Sequence, residues 1–349
     1  MEQELPEEER QRFFDSTQRS FRLASDGEIL GMLESPPPPM TQGDVADFAA
    51  SVSRGGLVLR ALERGVLSPD TQCGKGTVVH IAALHGPLAL LKLLIIERGV
   101  DPNEADTDGW RPLPLAIDGG REGGVSFLIN EAPGVDIDAP IAMGGTPLML
   151  AAKHGMVGVL RALVAKCANV NAKSKAGSTA LEIAIRHGQE KAALYLVEKA
   201  AVAVYDPDAP MSALSLAADL FRRRLMRAIV RRMRADGVDS ATVAAEMGGA
   251  ALCAIEKGVE SLEAPLEEGL DVDEAPVVIR HGESYKCLLF HHACIYGNRE
   301  AAALLVERGC DPLARNARGD RVHHVLAANK DCLPMLQWLM ASLPIPLDD

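Results

Sequence analysis

A short cassette returns along this chain about once every three dozen residues, and that period restricts the fold more than any other property of the sequence. Its clearest copies run from Thr146, Pro147 and Leu148 through Ala151 and Ala152 to Gly155, and from Thr179, Ala180 and Leu181 through Ala184 to Gly188. Looser copies run from Thr77 through His80, Ala82 and Ala83 to Gly86, and from Phe290 through His291 and Ala293 to Gly297. With the closing residue as a marker, the positions Gly55, Gly86, Gly120, Gly155, Gly188, Phe221, Gly258, Gly297 and Lys330 lie 31, 34, 35, 33, 33, 37, 39 and 33 residues apart. A single match of this kind is weak evidence, but a run of matches in phase is strong.

The cassette has a physical reading of its own. Thr146 offers an N-cap hydroxyl, and Pro147 has the fixed φ that suits the first helical position, where its missing N–H costs nothing. Leu148, Ala151 and Ala152 then form a narrow apolar stripe that lets a short helix lie close to its neighbours, and Gly155 permits the reversal that ends it. Val159, Leu160, Leu163 and Val164 follow at helical spacing and predict a second helix. Near-identical punctuation closes two of the units, Glu97-Arg98-Gly99-Val100-Asp101-Pro102 and Glu307-Arg308-Gly309-Cys310-Asp311-Pro312. One helix pair cannot bury its own apolar face, so each unit must stack on the next.

These residues resemble the ankyrin repeat, whose signature reads Thr-Pro-Leu-His, any residue, Ala-Ala, two variable residues and Gly, with a period of about 33. The resemblance implies an all-α repeat fold: a curved ankyrin-type solenoid of antiparallel helix pairs with short β-hairpin fingers. It spans residues 41–345, about eight to nine units, of which the terminal and the sixth to ninth are degenerate. Residues 1–40 stand apart as an acidic, partly disordered segment. Phe13, Phe14, Phe21, Leu23, Ile29, Leu30 and Leu33 at roughly helical spacing make it a candidate N-terminal cap, and Pro36, Pro37, Pro38 and Pro39 make a stiff linker.

Composition narrows the class further. A net charge of −12 argues against a general binder of phosphate backbones, so no specific nucleic acid is expected. No apolar run reaches the ~20 residues needed to span a bilayer, and the first residues lack the pattern of a secretory signal. The seven cysteines have no small-scaffold spacing and are read as reduced thiols of a cytoplasmic or nuclear protein, expected to be monomeric. Catalytic motifs are absent, and Gly74-Lys75-Gly76-Thr77 is only a fragment of a phosphate loop, with Thr77 already accounted for as an N-cap. A non-catalytic chain without cofactor follows.

Four features carry candidate chemistry. His291, His292, His323 and His324 with Cys287, Cys294 and Cys310 suggest zinc, but His80, His291 and His324 occupy the signature's histidine slot, where the resemblance assigns a backbone hydrogen bond between units; no metal is expected. Residues 221–234 place Leu225, Met226, Ile229, Val230 and Met233 on one helical face, with Arg222, Arg223, Arg227, Arg231 and Arg234 among the opposing arginines. The apolar stripe reads first as a packing face and second as half of a basic helix that docks an acidic partner or anionic surface. The longest interval contains a loop at 271–286, either a binding insertion or an inert one. Last, by resemblance, the variable cassette positions point into a concave groove. They include Trp110, Asp118, Lys153, Arg186, Ile295 and Tyr296, the candidate contacts for a partner protein, with His154, Ser178, His187, Glu256 and Lys257 beside them. Together these imply a protein-interaction module: an adaptor, scaffold or regulatory subunit, or alternatively a regulatory module acting through the arginine helix.

Overall fold

The computed structural model describes residues 24–36, 40–52, 54–141, 144–200, 202–206, 211–273, 289–316, 319–327 and 332–342, without the side chain of Phe48. Residues 1–23, three prolines of the linker, positions 274–286 of the long loop and Cys287 lie outside that set. Two compact units divide the chain, residues 1–180 and 181–349.

The first unit opens with α1 (Asp26–Glu34), started by a capping box in which Ser25 and Glu28 satisfy each other's backbone N–H groups. Its Ile29 and Leu33 are fully buried, and α1 packs on α2 (Gln42–Ser51) and α3 (Gly55–Glu63). A two-stranded finger follows, β1 (Gln72–Cys73) against β2 (Gly76–Thr77), in antiparallel register with Gln72 opposite Thr77. Then come α4 (Val78–Leu84) and α5 (Leu88–Lys92), α6 (Pro112–Asp118) and α7 (Glu122–Asn130), and α8 (Pro147–Lys153) and α9 (Val157–Ala165). The first helices of successive pairs pack on one another, α4 on α6 and α6 on α8, as do the second helices, α5 on α7 and α7 on α9. The short side chains make this possible: Ala82, Ala83, Ala116, Ala151 and Ala152 are all buried, so helix axes approach closely. Helix α5 runs on into a π-helical turn at Leu93–Glu97, which leaves Ile96 exposed.

The second unit repeats the plan. Its elements are α10 (Ala180–Arg186) and α11 (Glu190–Lys199), α12 (Ala213–Asp219) and α13 (Arg223–Ala235), α14 (Ser240–Lys257) and α15 (Glu263–Glu267), α16 (Leu289–Ile295) and α17 (Arg299–Glu307), and α18 (Val322–Ala327) and α19 (Leu333–Ser342). Here the degenerate units show how register survives a changed residue. Phe221 stands at a marker position and keeps the left-handed backbone, with φ 57°, beside 68° at Gly155 and 69° at Gly188. Cys167 does the same in the turn that closes the preceding kind of helix, with φ 63° against 69° at Gly99 and 69° at Gly134. The unit without Thr-Pro starts differently: α14 is 18 residues long and is capped by Asp239, whose carboxylate accepts from Thr242 N–H at 2.9 Å.

The connecting loops are closed internally by backbone hydrogen bonds. Four turns share one closed form, with N–H of Asp106, Ile141, Ser174 and Asn316 donating to the carbonyls of Trp110, Gly145, Ser178 and Asp320 at 2.8, 2.9, 3.0 and 2.9 Å. Among the described residues only the 72–77 finger forms a β-ladder; the others are these tight turns. Asx side chains bridge adjacent loops, as Asn103 accepts from Asp136 N–H at 2.8 Å and Asp138 from Asn169 N–H at 3.0 Å.

Candidate functional site

Burial separates the cassette into two sets of positions. Thr146, Leu148, Ala151 and Ala152 are buried, whereas Lys153 and His154, which follow them, are exposed; Asp118 is exposed at the end of α6, and Arg186 at the end of α10. In the first unit His154 Nε2 meets Asp118 Oδ1 at 3.0 Å, so the two helix ends are joined by a pair that is an ion pair only when the imidazole is protonated. Trp110 is half-buried in its finger, its N–H donating to Asp106 Oδ1 at 2.8 Å. It therefore keeps part of its ring accessible while the turn fixes its backbone.

The corresponding positions of the second unit contain a more developed cluster. Glu256, near the end of α14, receives His292 Nε2 at 3.2 Å, and the Tyr296 ring lies 4.6 Å from the His292 ring. Burial holds His292 below the ordinary imidazole range, against the opposing pull of Glu256, so it is neutral at pH 7. Desolvation and the same carboxylate push the Tyr296 hydroxyl above the ordinary tyrosine range. Ile295 and Tyr296 nevertheless stand 38% and 56% exposed. They border a cleft of about 280 Å³ whose other walls include Arg299, Cys332 and Met335, with exposed Leu333 next to it. A large exposed aromatic whose hydroxyl bonds Glu256 and whose ring rests beside His292 can be covered by a partner with little further loss of freedom. Glu256 and His292 give this cluster its rigidity. Glu256 was legible as a variable position, whereas His292 was visible in the sequence only as a possible metal ligand.

The arginine helix α13 behaves differently from a free basic surface. Leu225, Met226, Ile229, Val230 and Met233 are buried, so the apolar stripe is a packing face. Most of the arginines meet carboxylates from within the unit. Arg223 pairs with Glu263 and reaches Glu267 at 3.8 Å, Arg227 pairs with Glu267, and Arg231 and Arg234 clasp Glu268 at 3.1 and 3.2 Å. Arg222 lies 3.5 Å from Glu190. Among the described residues α15, one pair further along the chain, thus supplies acidic partners for much of the helix's basic face.

The histidine slot works as a tie between units. Thr77 N–H donates to His80 Nδ1 at 3.0 Å, which leaves Nε2–H to meet the Glu104 carbonyl in the next loop at 3.0 Å. His291 Nε2 similarly faces the Asp320 carbonyl at 3.3 Å. In the last pair the expected register is off by one: His323 is the buried imidazole and His324 is exposed. Among the described residues no group of three or more His, Cys, Asp or Glu side chains converges to hold a metal. The described cysteines are free thiols, and burial pushes Cys73 up to about 12, far from reactive thiolate chemistry. Lys75, in the fragment reminiscent of a phosphate loop, pairs instead with Asp108 of the next finger. No helix among the described residues is long and apolar enough to cross a membrane.

Comparison with known proteins agrees with this geometry. Family models described as ankyrin repeats match residues 62–116 (many copies) and 133–208 (3 copies), and a single ankyrin repeat matches residues 285–314. Neurogenic locus notch homolog protein 1 from Homo sapiens is 35% identical over 96 residues, 28% of this chain and 4% of that protein. Protein phosphatase 1 regulatory subunit 12A from Mus musculus is 44% identical over 55 residues, 16% of this chain and 5% of that protein. The chain thus matches only a few per cent of the length of these relatives. The repeat period, the buried alanine stripes, the histidine ties and these matches agree: the chain carries ankyrin repeats, matched over residues 62–116, 133–208 and 285–314.

Proposed function

We propose that this chain is a non-catalytic recognition module, an adaptor, scaffold or regulatory subunit, that binds a partner protein through its exposed helix ends and finger turns. Ankyrin repeats generally serve as protein-protein interaction modules, and one similar protein carries the name of a phosphatase regulatory subunit. The observation that carries the reading is the exposure of Ile295 and Tyr296 at the end of a helix whose other faces are buried, with Tyr296 braced by Glu256 and His292. Tyr, Trp and Arg are the residue types enriched in binding hot spots, and a rigid repeat surface loses little entropy on association. Trp110, Asp118 and Lys153 are the proposed contacts of the first unit, and Arg186, Ile295 and Tyr296 those of the second. Free, largely buried thiols suit a reducing compartment, cytoplasm or nucleus.

The test is quantitative pull-down from cells, comparing the intact chain with a Trp110→Ala, Arg186→Ala, Tyr296→Ala variant shown by circular dichroism to be folded. Loss of specific captured proteins by the variant is expected. An unchanged set would exclude these residues as the binding face.

A second reading assigns recognition of an acidic partner or anionic surface to α13. What favours it is a cleft between that helix and the C-terminal end of α11, lined by Lys199, Arg224 and Arg232 as well as by arginines that meet α15.

A further inference from the structure

Helix α13 distributes its arginines over two flanks, and α15 occupies one of them. On the first, Glu263, Glu267 and Glu268, spaced so that they fall on adjacent turns, meet Arg223, Arg227, Arg231 and Arg234. On the second, Arg224 and Arg232 lie one turn either side of Ala228, whose single methyl group leaves the space between them open. The C-terminal end of α11 forms the opposite wall, and the cleft so formed measures about 950 Å³. Lys199, Arg224 and Arg232 line it together with Arg223, Arg227 and Arg231, which also meet the α15 carboxylates, and Glu198 is the one carboxylate in its wall. Among the described residues Lys199 and Arg224 make no ion pair, while Arg232 is held only by Asp236 of its own helix, at 2.8 Å. A positive cleft of this kind stands out in a chain whose net charge is −12.

We propose that this cleft is a docking site for an acidic peptide segment of a partner protein, bound as a second row of carboxylates along α13. The argument is charge complementarity, with α15 as the internal example. A short helix carrying glutamates at that spacing already seats on one flank of α13, and the cleft flank presents Arg224 and Arg232 with Lys199, beside Glu198 and Asp236. Cations gathered along low walls focus the field, so association is fast at low salt and weakens as the Debye length shrinks. This site rests on the arginine-helix reading and is independent of Tyr296 and the other proposed contacts. The glutamates of α15 have a part in it: by pairing with Arg223, Arg227 and Arg231, which also line the cleft, they fix the guanidinium row and leave Lys199 and Arg224 as its cations without an ion pair among the described residues.

The probe is a fluorescein-labelled peptide of alternating Glu and Ala turns, titrated by anisotropy against the full chain at low and at physiological salt. Binding is expected at low salt and should weaken steeply with added salt. Lys199→Glu with Arg224→Glu, which breaks no ion pair among the described residues, should reduce affinity at least about tenfold. Tyr296→Ala should leave it unchanged. Besides a transfer of the site to Tyr296, three results would overturn the proposal. They are no peptide binding at low salt, equal binding by the charge-reversed variant with its circular dichroism intact, and capture of phosphatidylserine-containing vesicles by the same side chains without binding of the peptide. Loss of peptide binding in Tyr296→Ala alone would move the site to the helix-end cluster, refuting this inference while leaving the first functional reading in place.

Discussion

Replacing Cys167 by glycine should stabilise the first unit, which is unusual for removal of any side chain. Cys167 sits at φ 63° in a turn where other copies of the repeat use glycine, as at Gly65 with φ 71° and Gly99 with φ 69°. A side chain in that conformation brings its β-carbon against backbone oxygen at a cost of about 1–2 kcal/mol. Glycine relieves the strain but has more freedom to lose on folding, about 0.5–1 kcal/mol. The thiol is exposed, so little packing is lost, and the turn's hydrogen bonds from Cys167 N–H to Val164 O (3.0 Å) and Ala168 N–H to Leu163 O (3.1 Å) are backbone only. The expected net gain is about 0.5–1 kcal/mol, or a rise of roughly 1–4 °C in the transition. Urea and thermal melts of Cys167→Gly should be read against Cys167→Ala, which removes the sulfur but keeps the strained backbone. If the two variants melt together, the strain argument fails. Phe221→Gly supplies the contrast. It relieves similar strain at φ 57° but removes a ring packed so tightly over Gly258 that a β-carbon there would lie 2.6 Å from it, and no net gain is expected.

Three other outcomes follow from named contacts. Ala151→Asp places a carboxylate at a fully buried helix interface and should cost several kcal/mol, with a melt unchanged from the parent counting against the packing of α8. Gly43→Ala looks conservative for a helical residue, yet its β-carbon would fall 1.6 Å from the Gln72 carbonyl oxygen, so a loss of about 1–3 kcal/mol is expected in urea titration, and parent-like stability would show that α2 and the finger are not in contact. Burial holds His85, His291 and His292 below the ordinary 6.5, so the unfolded chain takes up their protons first. Their contribution to stability is complete above about pH 6.5 and is lost as pH falls through the lower folded values, and thermal melts that were flat from about pH 7.5 to 5 would contradict it.

Much of the fold was legible in the sequence because the cassette encodes its own geometry. Thr146 caps α8, the buried alanines set the helix spacing, and the marker turn keeps at Phe221 the left-handed backbone it has at Gly120, Gly155, Gly188 and Gly297. Legibility failed where a unit uses another solution. Helix α14 begins at an Asp239 cap rather than at Thr-Pro, and the last pair buries His323 instead of His324 because the signature around it has too few matching residues to fix register. For the candidate site, exposure at Lys153, Arg186, Ile295 and Tyr296 follows from cassette position alone. The pairing of α13 with α15 does not, since periodicity on one helix says nothing of what the next unit places beside it. A signal was nonetheless present: Glu263 and Glu267 lie one unit downstream of Arg223 and Arg227 in the same order, a match between repeats that reading each helix alone overlooks.

The central claim is that buried cassette positions hold the stack while the exposed helix ends bind a partner. A photo-crosslinking amino acid placed at Tyr296, and in a second protein at exposed Arg161 on α9, tests it directly in cells. A discrete crosslinked partner from position 296 and none from 161 is the predicted result; crosslinks from 161 with none from 296 would contradict it.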